Sequence, residues 1–542
     1  MNVNAPLVVS QQTGNDATAS RYGLPYKTLA GAKTAAIPGD TIVVVDGTFN
    51  ERDLLKNGVN WYFLVGTKVH LTAAGGTHLD RAIFDDVDGA VTCLIDGYGE
   101  FIWQGDNGLV VTPGGVSGGV IWLQNAGSNV SVRACRASIG VSNGTDSNIG
   151  QDTHTIFIEN CAQFYGSFEI VENEANPGGP FTWFDGNFNL HAKIIRAFTS
   201  SYSIWAKEPS TGSAKNGYIE ADLIDNPGYA AIRLESEVAN SQYKLWVRAK
   251  EIRGRSGGAS VGAIQQSGGK LYLEVEKIDN TSLGQVGAFV RQSPALLIRG
   301  GEAWVRVQKI TTNLNADMLT RYTAQAVTVS SATDRVTLNA HGLNYSDKVR
   351  FGGTATPGGL VPGQWYYVTD FTLNDFRVST SFAGPPIDLT SNGTAVTIDS
   401  TPWAMYVTIT GGSLILDCPH FERVGDYAAP AFAAAGGALH VRGQMMTPLY
   451  NGKGVLHLGG TSRFEGLVIN TSVTNNAANR PIEIRSPGLV LDRCKLIAPA
   501  LANSIFASSP RSVTCYGVKA NRPKNSKVTV RVDAITVSAH VV

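Results

Sequence analysis

The chain has 542 residues, of which only 16% are charged, with 44 Lys plus Arg against 44 Asp plus Glu and 60 glycines. Zero net charge argues against a nucleic-acid binder, which would carry a basic excess, and the length is ample for a large core or several domains. Low charge with abundant glycine suits an all-β chain with many tight turns, while six scattered cysteines without a CxxC pair or an HExxH signal no metal or cofactor, and Cys135 and Cys494 read as free thiols in alternating strands.

Residues 1–20 read as an irregular N-terminal arm. MNVNAPLVVSQQTG lacks a basic n-region and a long apolar h-region, so no signal peptide is expected. The most apolar stretch, residues 427–441, is broken by Pro430, Gly436 and Gly437 and is too short to insert in a membrane. Residues 21–125 read as a cap and first coils. Residues 28–36 predict a short helix with Leu29, Ala32 and Ala36 on one side, ended by Pro38-Gly39-Asp40 and followed by a strand from Thr41. Asp85-Asp86, in IFDDVDGAVTC, reads as a solvated turn.

Residues 126–322 carry a repeat. The heptads NVSVRAC from Asn129, YGSFEIV from Tyr165, NLHAKII from Asn189, YIEADLI from Tyr218, WVRAKEI from Trp246, YLEVEKI from Tyr272 and WVRVQKI from Trp304 start about 24 to 36 residues apart, a spacing at which repeats mean stacked coils. Apolar residues at positions two, four and six predict strands buried on one face. Stacked in register, the third positions read Ser131, Ser167, His191, Glu220, Arg248, Glu274, Arg306, and the fifth read Arg133, Glu169, Lys193, Asp222, Lys250, Glu276, Gln308. The fifth column alternates in sign until its last member, as parallel strands about 4.8 Å apart favour. Its carboxylates are therefore assigned to an ion ladder. The first column is mostly aromatic: Tyr165, Tyr218, Trp246, Tyr272, Trp304. Exposed rings in a row suit a subunit interface or a sugar platform. A second strand recurs as SIWAKE, AAIRLE, GAIQQS and GAFVRQ, with ALLIRG from Ala295 on a third face. The fold expected is an all-β right-handed parallel β-helix solenoid with an N-terminal capping helix and a small inserted antiparallel β-domain.

That insert spans residues 323–402, where alternating strands run between turn residues without the coil period. Coils resume over 403–520. The C-terminal tail, 521–542, alternates to its end; such a tail pairs with its own subunit or with others, and an exposed alternating edge favours subunit contacts.

The stretch PYKTLAGAKTAAIPGDTIVVVDGTFNE, followed by LLKNGVNWYF from Leu54, resembles the opening of pectate-lyase-like β-helix proteins, above all those of bacteriophage tailspikes and other virion appendages. The likeness is clear over residues 21–100 and continues as architecture to about residue 520. The insert, with HGL, KVRF and YYV, is similar to small β-modules of phage structural proteins. The resemblance implies a homotrimer on a virion, made in the host cytoplasm, that attaches to other virion proteins through its N-terminal region and binds a bacterial surface polysaccharide for host recognition. It also implies alternatives: a polysaccharide depolymerase, hydrolase or lyase, on the same scaffold; a head decoration fibre; or a secreted carbohydrate-active enzyme.

Glycan hydrolysis needs two carboxylates about 5–9.5 Å apart. Outside the ion ladder, Glu172, Glu174, Asp185, Glu208, Glu235 and Glu237 are available, and Asp185, Glu235 and Glu237 are retained as catalytic candidates. Asp185 follows Trp183 and Phe184, rings that suit a sugar; Glu235 aligns with Lys207 one coil away, the pattern of a plain salt bridge. Tyr218, Trp246, Tyr272 and Trp304 are the candidate binding or interface residues. His154, His191 and His341 lack spaced partners and read as ordinary strand or turn residues.

Overall fold

A computed structural model of the chain describes residues 5–72, 82–105, 118–141, 153–174, 179–198, 202–209, 215–254 without 228, 237, 239 and 240, 263–281, 294–313, 325–400 without 340, 342, 344–347, 373 and 381–384, 406–424, 430–446, 449, 453–472, 479–507, 509–531 and 536–537. Two compact units divide it: Met1–Gly257 with Ala263–Asn280 and Gly301–Gln308, and Gly258–Gly262 with Thr281–Gly300 and Lys309–Val542. The described residues are all-β except for the single helix Leu29–Ala35.

In the first unit that helix begins where its unpaired N–H groups find acceptors. The Thr28 hydroxyl accepts from Gly31 N at 2.9 Å, and the Glu51 carboxylate accepts from Leu29 N at 3.0 Å and Ala30 N at 2.6 Å. These bonds satisfy orphan donors and place negative charge at the positive end of the helix. Leu29 and Ala32 turn inward. Behind the helix, Asp40 is fully buried and paired with Arg21. The strand Thr41–Asp46 then pairs in parallel with Leu7–Ser10 and Asn60–Phe63.

Two parallel ladders follow. Long strands, Asn129–Val141, Gln163–Asn173, Asn187–Ala197, Asn216–Asn226, Lys244–Gly254 and Lys270–Thr281, each pair with the next. Short strands, Gly118–Leu123, Thr153–Ile158, Phe181–Trp183, Ile204–Lys207, Ile232–Glu235 and Ile264–Gln266, do the same. The chain alternates short, long, short, long. Parallel neighbours need a crossover, and here each crossover carries a strand of the other ladder. Inward side chains of both ladders, such as Leu190, Ile195, Ile204, Ile219 and Ile224, are fully buried.

The register joins Tyr165, Asn189, Tyr218, Trp246 and Tyr272 across five strands, as the repeat predicts. The first heptad is set differently. Ser131, not Asn129, stands beside Tyr165, and Arg133 stands beside Ser167. A slip of two residues leaves the in–out alternation unchanged, which is why the pattern alone misplaced it. Inward positions are also two, four and seven rather than two, four and six. In Asn187–Ala197 the buried side chains are Leu190, Ala192 and Ile195, while Ile194 is half-buried. Position six is Glu251 in Lys244–Gly254 and Lys277 in Lys270–Thr281, both half-buried. Two successive outward residues shift the phase by one, so each long strand must bend there to keep both halves packed inside.

In the second unit, Leu296–Ile298 pairs with Val407–Ile409, which pairs with Phe432–Met446. ALLIRG is thus a short-ladder strand rather than a third face, and GAFVRQ lies outside the described residues. Between these partners, residues 325–400 form a seven-stranded antiparallel sheet with its own core of Val336, Phe351, Tyr366, Val368, Phe376 and Ile398. One edge of that sheet is Gln325–Ala326, paired with Thr397–Ser400; the other is Thr328–Ser330, paired with Arg335–Thr337. The two edges are consecutive pieces of one segment, joined by Val327, whose N–H donates to Val396 O at 3.1 Å. One segment therefore closes the sheet on itself and leaves neither edge open for pairing.

The C-terminal tail adds strands to its own chain. Val528–Arg531 pairs with Arg511–Tyr516, and Thr536–Val537 with Lys519–Ala520.

Candidate functional site

The outward face of the long ladder gathers most of the residues the repeat singled out. Its first column holds Tyr165, Asn189, Tyr218, Trp246 and Tyr272, and Trp304 stacks beyond them. Trp246 lies 5.0 Å from Tyr272 at 11°, and Tyr272 lies 4.7 Å from Trp304 at 4°. These spacings are those of the strands themselves. Tyr272 thus spends both faces on its neighbours, and Trp246 and Trp304 one each. A sugar stacks on a ring face, so the middle ring has none to offer. Tyr218 instead tilts toward His191 at 6.1 Å.

Beside the rings run the charged columns. His191 bridges Glu220 at 3.0 Å, Arg248 approaches Glu220 at 3.8 Å, Lys250 meets Asp222 at 2.7 Å, and Lys193 pairs with Glu169. Of the predicted fifth-column ladder, ion pairs form at Glu169–Lys193 and Asp222–Lys250. Arg133 does not belong to the fifth column; it sits in the third and pairs with Asp96, while Cys135 takes the fifth position. A second alternating column lies one residue past the heptad. Glu172, Arg196, Asp225, Arg253 and Asp279 are register neighbours of strictly alternating sign. Their pattern was present in the sequence, but a seven-residue window ends before it.

Where the columns hold small residues the face opens. Ser167 and Cys135 leave two adjoining hollows of about 400 and 340 Å³ that share Arg133, Ser167 and His191. Tyr98 and Tyr165 border them, 55% and 52% exposed. Gaps made by missing bulk were not visible to a search for reactive side chains.

The catalytic candidates are not brought together on this face. Asp185 occupies a turn where its carboxylate accepts from Gly186 N at 2.7 Å and faces Lys215 at 3.9 Å. Gly186 has φ of 96°, and a Cβ there would lie 2.5 Å from Cys161 O, so only glycine fits the turn that fixes Asp185. Trp183, expected beside a sugar, points inward, fully buried, and stacks on Tyr243 at 4.0 Å. The Tyr243 hydroxyl donates to the carbonyls of Trp183 and Phe184.

Glu235 stands beside Lys207 in register, but its ion pair is with Arg233, and it accepts the Trp205 indole N–H at 2.9 Å. Both Arg233 and Glu235 belong to one strand, and the indole holds the carboxylate on that side. Glu237 lies outside the described residues. Asp86, read as solvated, is buried, and its carboxylate accepts from Gln124 N, Asn125 N and the Ser128 hydroxyl at 2.8, 3.0 and 2.6 Å.

His154 is buried between Phe157 and Trp205, and burial lowers its pKa to about 4. It is therefore neutral at pH 7 and accepts from Gly179 N, a bond that itself favours the neutral ring. Burial pushes the thiols of Cys93 and Cys161 up to about 12, so neither is a thiolate nucleophile at neutral pH.

No family model, curated protein or solved structure matches the chain.

Proposed function

We propose that this chain is a virion appendage of the bacteriophage tailspike type, a homotrimer of right-handed parallel β-helices that binds a bacterial surface glycan and attaches to other virion proteins through its N-terminal region. The observation that carries this reading is the pair of interleaved parallel ladders, in which every strand bonds to the next strand but one. A chain that winds once per repeat produces that pairing, and the helix Leu29–Ala35 then serves as the cap of the first coil. The closed antiparallel sheet over 325–400 fits as a module inserted in one turn, because the ladder strands on either side of it, Leu296–Ile298 and Val407–Ile409, are bonded neighbours.

Binding without cleavage is the preferred form of this reading. Asp185 and Glu235, the described catalytic candidates, are held by turn and ion-pair contacts rather than aimed together at an open groove. Light scattering of the purified chain tests the assembly, with an expected mass three times the 57.6 kDa of one chain; a monomer mass overturns the trimer. Retention of bacterial polysaccharide by the same sample tests the function.

A further inference from the structure

We infer that the trough between Tyr98 and Lys193 on the outward face of the long ladder holds an uncharged segment of oligosaccharide, an inference that rests on the glycan-binding reading above. The ring column is the poorer platform at Tyr272, both of whose faces are stacked, at 5.0 and 4.7 Å. The tyrosines at the trough are different. Tyr98 and Tyr165 are half exposed, and no ring among the described residues stacks on either. Their faces are free for the apolar side of a pyranose, and their hydroxyls for its polar edge.

The floor is open because Ser167 and Cys135 stand where later strands carry His, Glu, Arg, Lys or Asp. The two hollows fall in the size range of small-ligand sites. Charge then selects the ligand. The acidic and basic side chains that line the hollows, His191 aside, are Arg133 and Lys193 with Asp96, Glu169, Glu220 and Asp222, and Arg248 and Lys250 beside them reach Glu220 at 3.8 Å and Asp222 at 2.7 Å, so the charges balance. Both cations are already paired, Arg133 with Asp96 and Lys193 with Glu169. Arg133 and Lys193, the lining cations, are thus engaged, and none of that pair is left to meet a uronate or sulfate. The same carboxylates accept hydrogen bonds from neutral sugar hydroxyls.

The full chain is applied to an array of purified bacterial O-antigen and capsular polysaccharides, some neutral and some uronate-rich. Wild type is expected to retain neutral polysaccharide in preference to uronate-rich polysaccharide. Ser167→Trp, which fills the trough from an exposed position, and Tyr165→Ala are each expected to weaken retention about tenfold or more. Tyr516→Ala, an exposed aromatic that lines neither hollow, retains wild-type binding. Circular dichroism establishes that each variant is folded, and Tyr98→Ala replaces any that is not. Undiminished binding by Ser167→Trp and Tyr165→Ala overturns the location while leaving glycan binding intact. Preference for uronate-rich polysaccharide overturns the charge argument. A wild-type chain that retains no polysaccharide on the array overturns the functional reading itself, and the trough with it.

Discussion

Replacing Tyr272 with leucine removes the middle ring of the stack while keeping much of its apolar bulk. Tyr272 has ring partners on both sides, Trp246 at 5.0 Å and Trp304 at 4.7 Å. A well-oriented aromatic pair contributes about 0.5–1.5 kcal/mol beyond the area it buries. Two pairs make the expected loss about 1–3 kcal/mol. The term belonging to one pair is isolated by a double-mutant cycle of Tyr272→Leu and Trp304→Leu, with an expected coupling of about 0.5–1.5 kcal/mol. Urea unfolding followed by far-ultraviolet circular dichroism reads it, with unfolding rates used if refolding is incomplete. A coupling below about 0.3 kcal/mol would show that the rings are adjacent without supporting one another.

Other perturbations test separate parts of the framework. Arg196→Glu places a third carboxylate between Glu172 and Asp225 in the eighth column; a loss of about 1–3 kcal/mol is expected, larger than that of Arg196→Gln. Equal losses for the two variants sink the column. In the second unit, Glu483 is nearly buried and meets Lys453 at 2.9 Å, Arg485 at 2.8 Å and Arg480 at 3.4 Å. Glu483→Gln strands three cations and is expected to cost about 3–5 kcal/mol, read as a lowered melting temperature; an unchanged melt contradicts it. Burial acts to raise the Glu483 pKa, but the Lys453 and Arg485 charges outweigh it and hold it below the usual glutamate range, so its contribution is present above pH 4.3 and lost as pH falls through the lowered value. His154 acts earlier. Its pKa of about 4 lies below an unfolded value near 6.5, so protonation favours unfolding as pH drops below 6.5. About 2 kcal/mol is expected to go between pH 7 and pH 5. His154→Gln should flatten that part of the stability profile, and an unaltered profile would acquit the histidine.

The long-ladder register from Tyr165 onward was legible because aromatic, charged and apolar columns agreed on one alignment. Asn129 was misplaced because period-two alternation is blind to a shift of two; the strand pairing sets Ser131 beside Tyr165, with Arg133 on Asp96 and Arg136 on Glu172. The bend at positions five and six was hidden because Ile194 and Leu223 are apolar yet only half-buried. Glu251 and Lys277 at the same position, both half-buried, were the available warning. Alternation marked the strands of the insert but not its closure, since residues 325–330 read as one strand although their two halves bond to opposite ends of the sheet. For the candidate site, sequence found the rings but not their mutual stacking. The trough was invisible because it is made by Ser167 and Cys135, residues that attract attention only once their larger neighbours are in place.

The most direct test of the account incubates the purified chain with bacterial surface polysaccharide and follows bound polysaccharide and chain cleavage in the same sample, the latter as new reducing ends and unsaturated uronate. Retention of polysaccharide with no rise in either product is the predicted result. Sustained product release would contradict binding without cleavage and return Asp185 and Glu235 to consideration as catalysts; absence of retention would contradict the glycan-binding function itself.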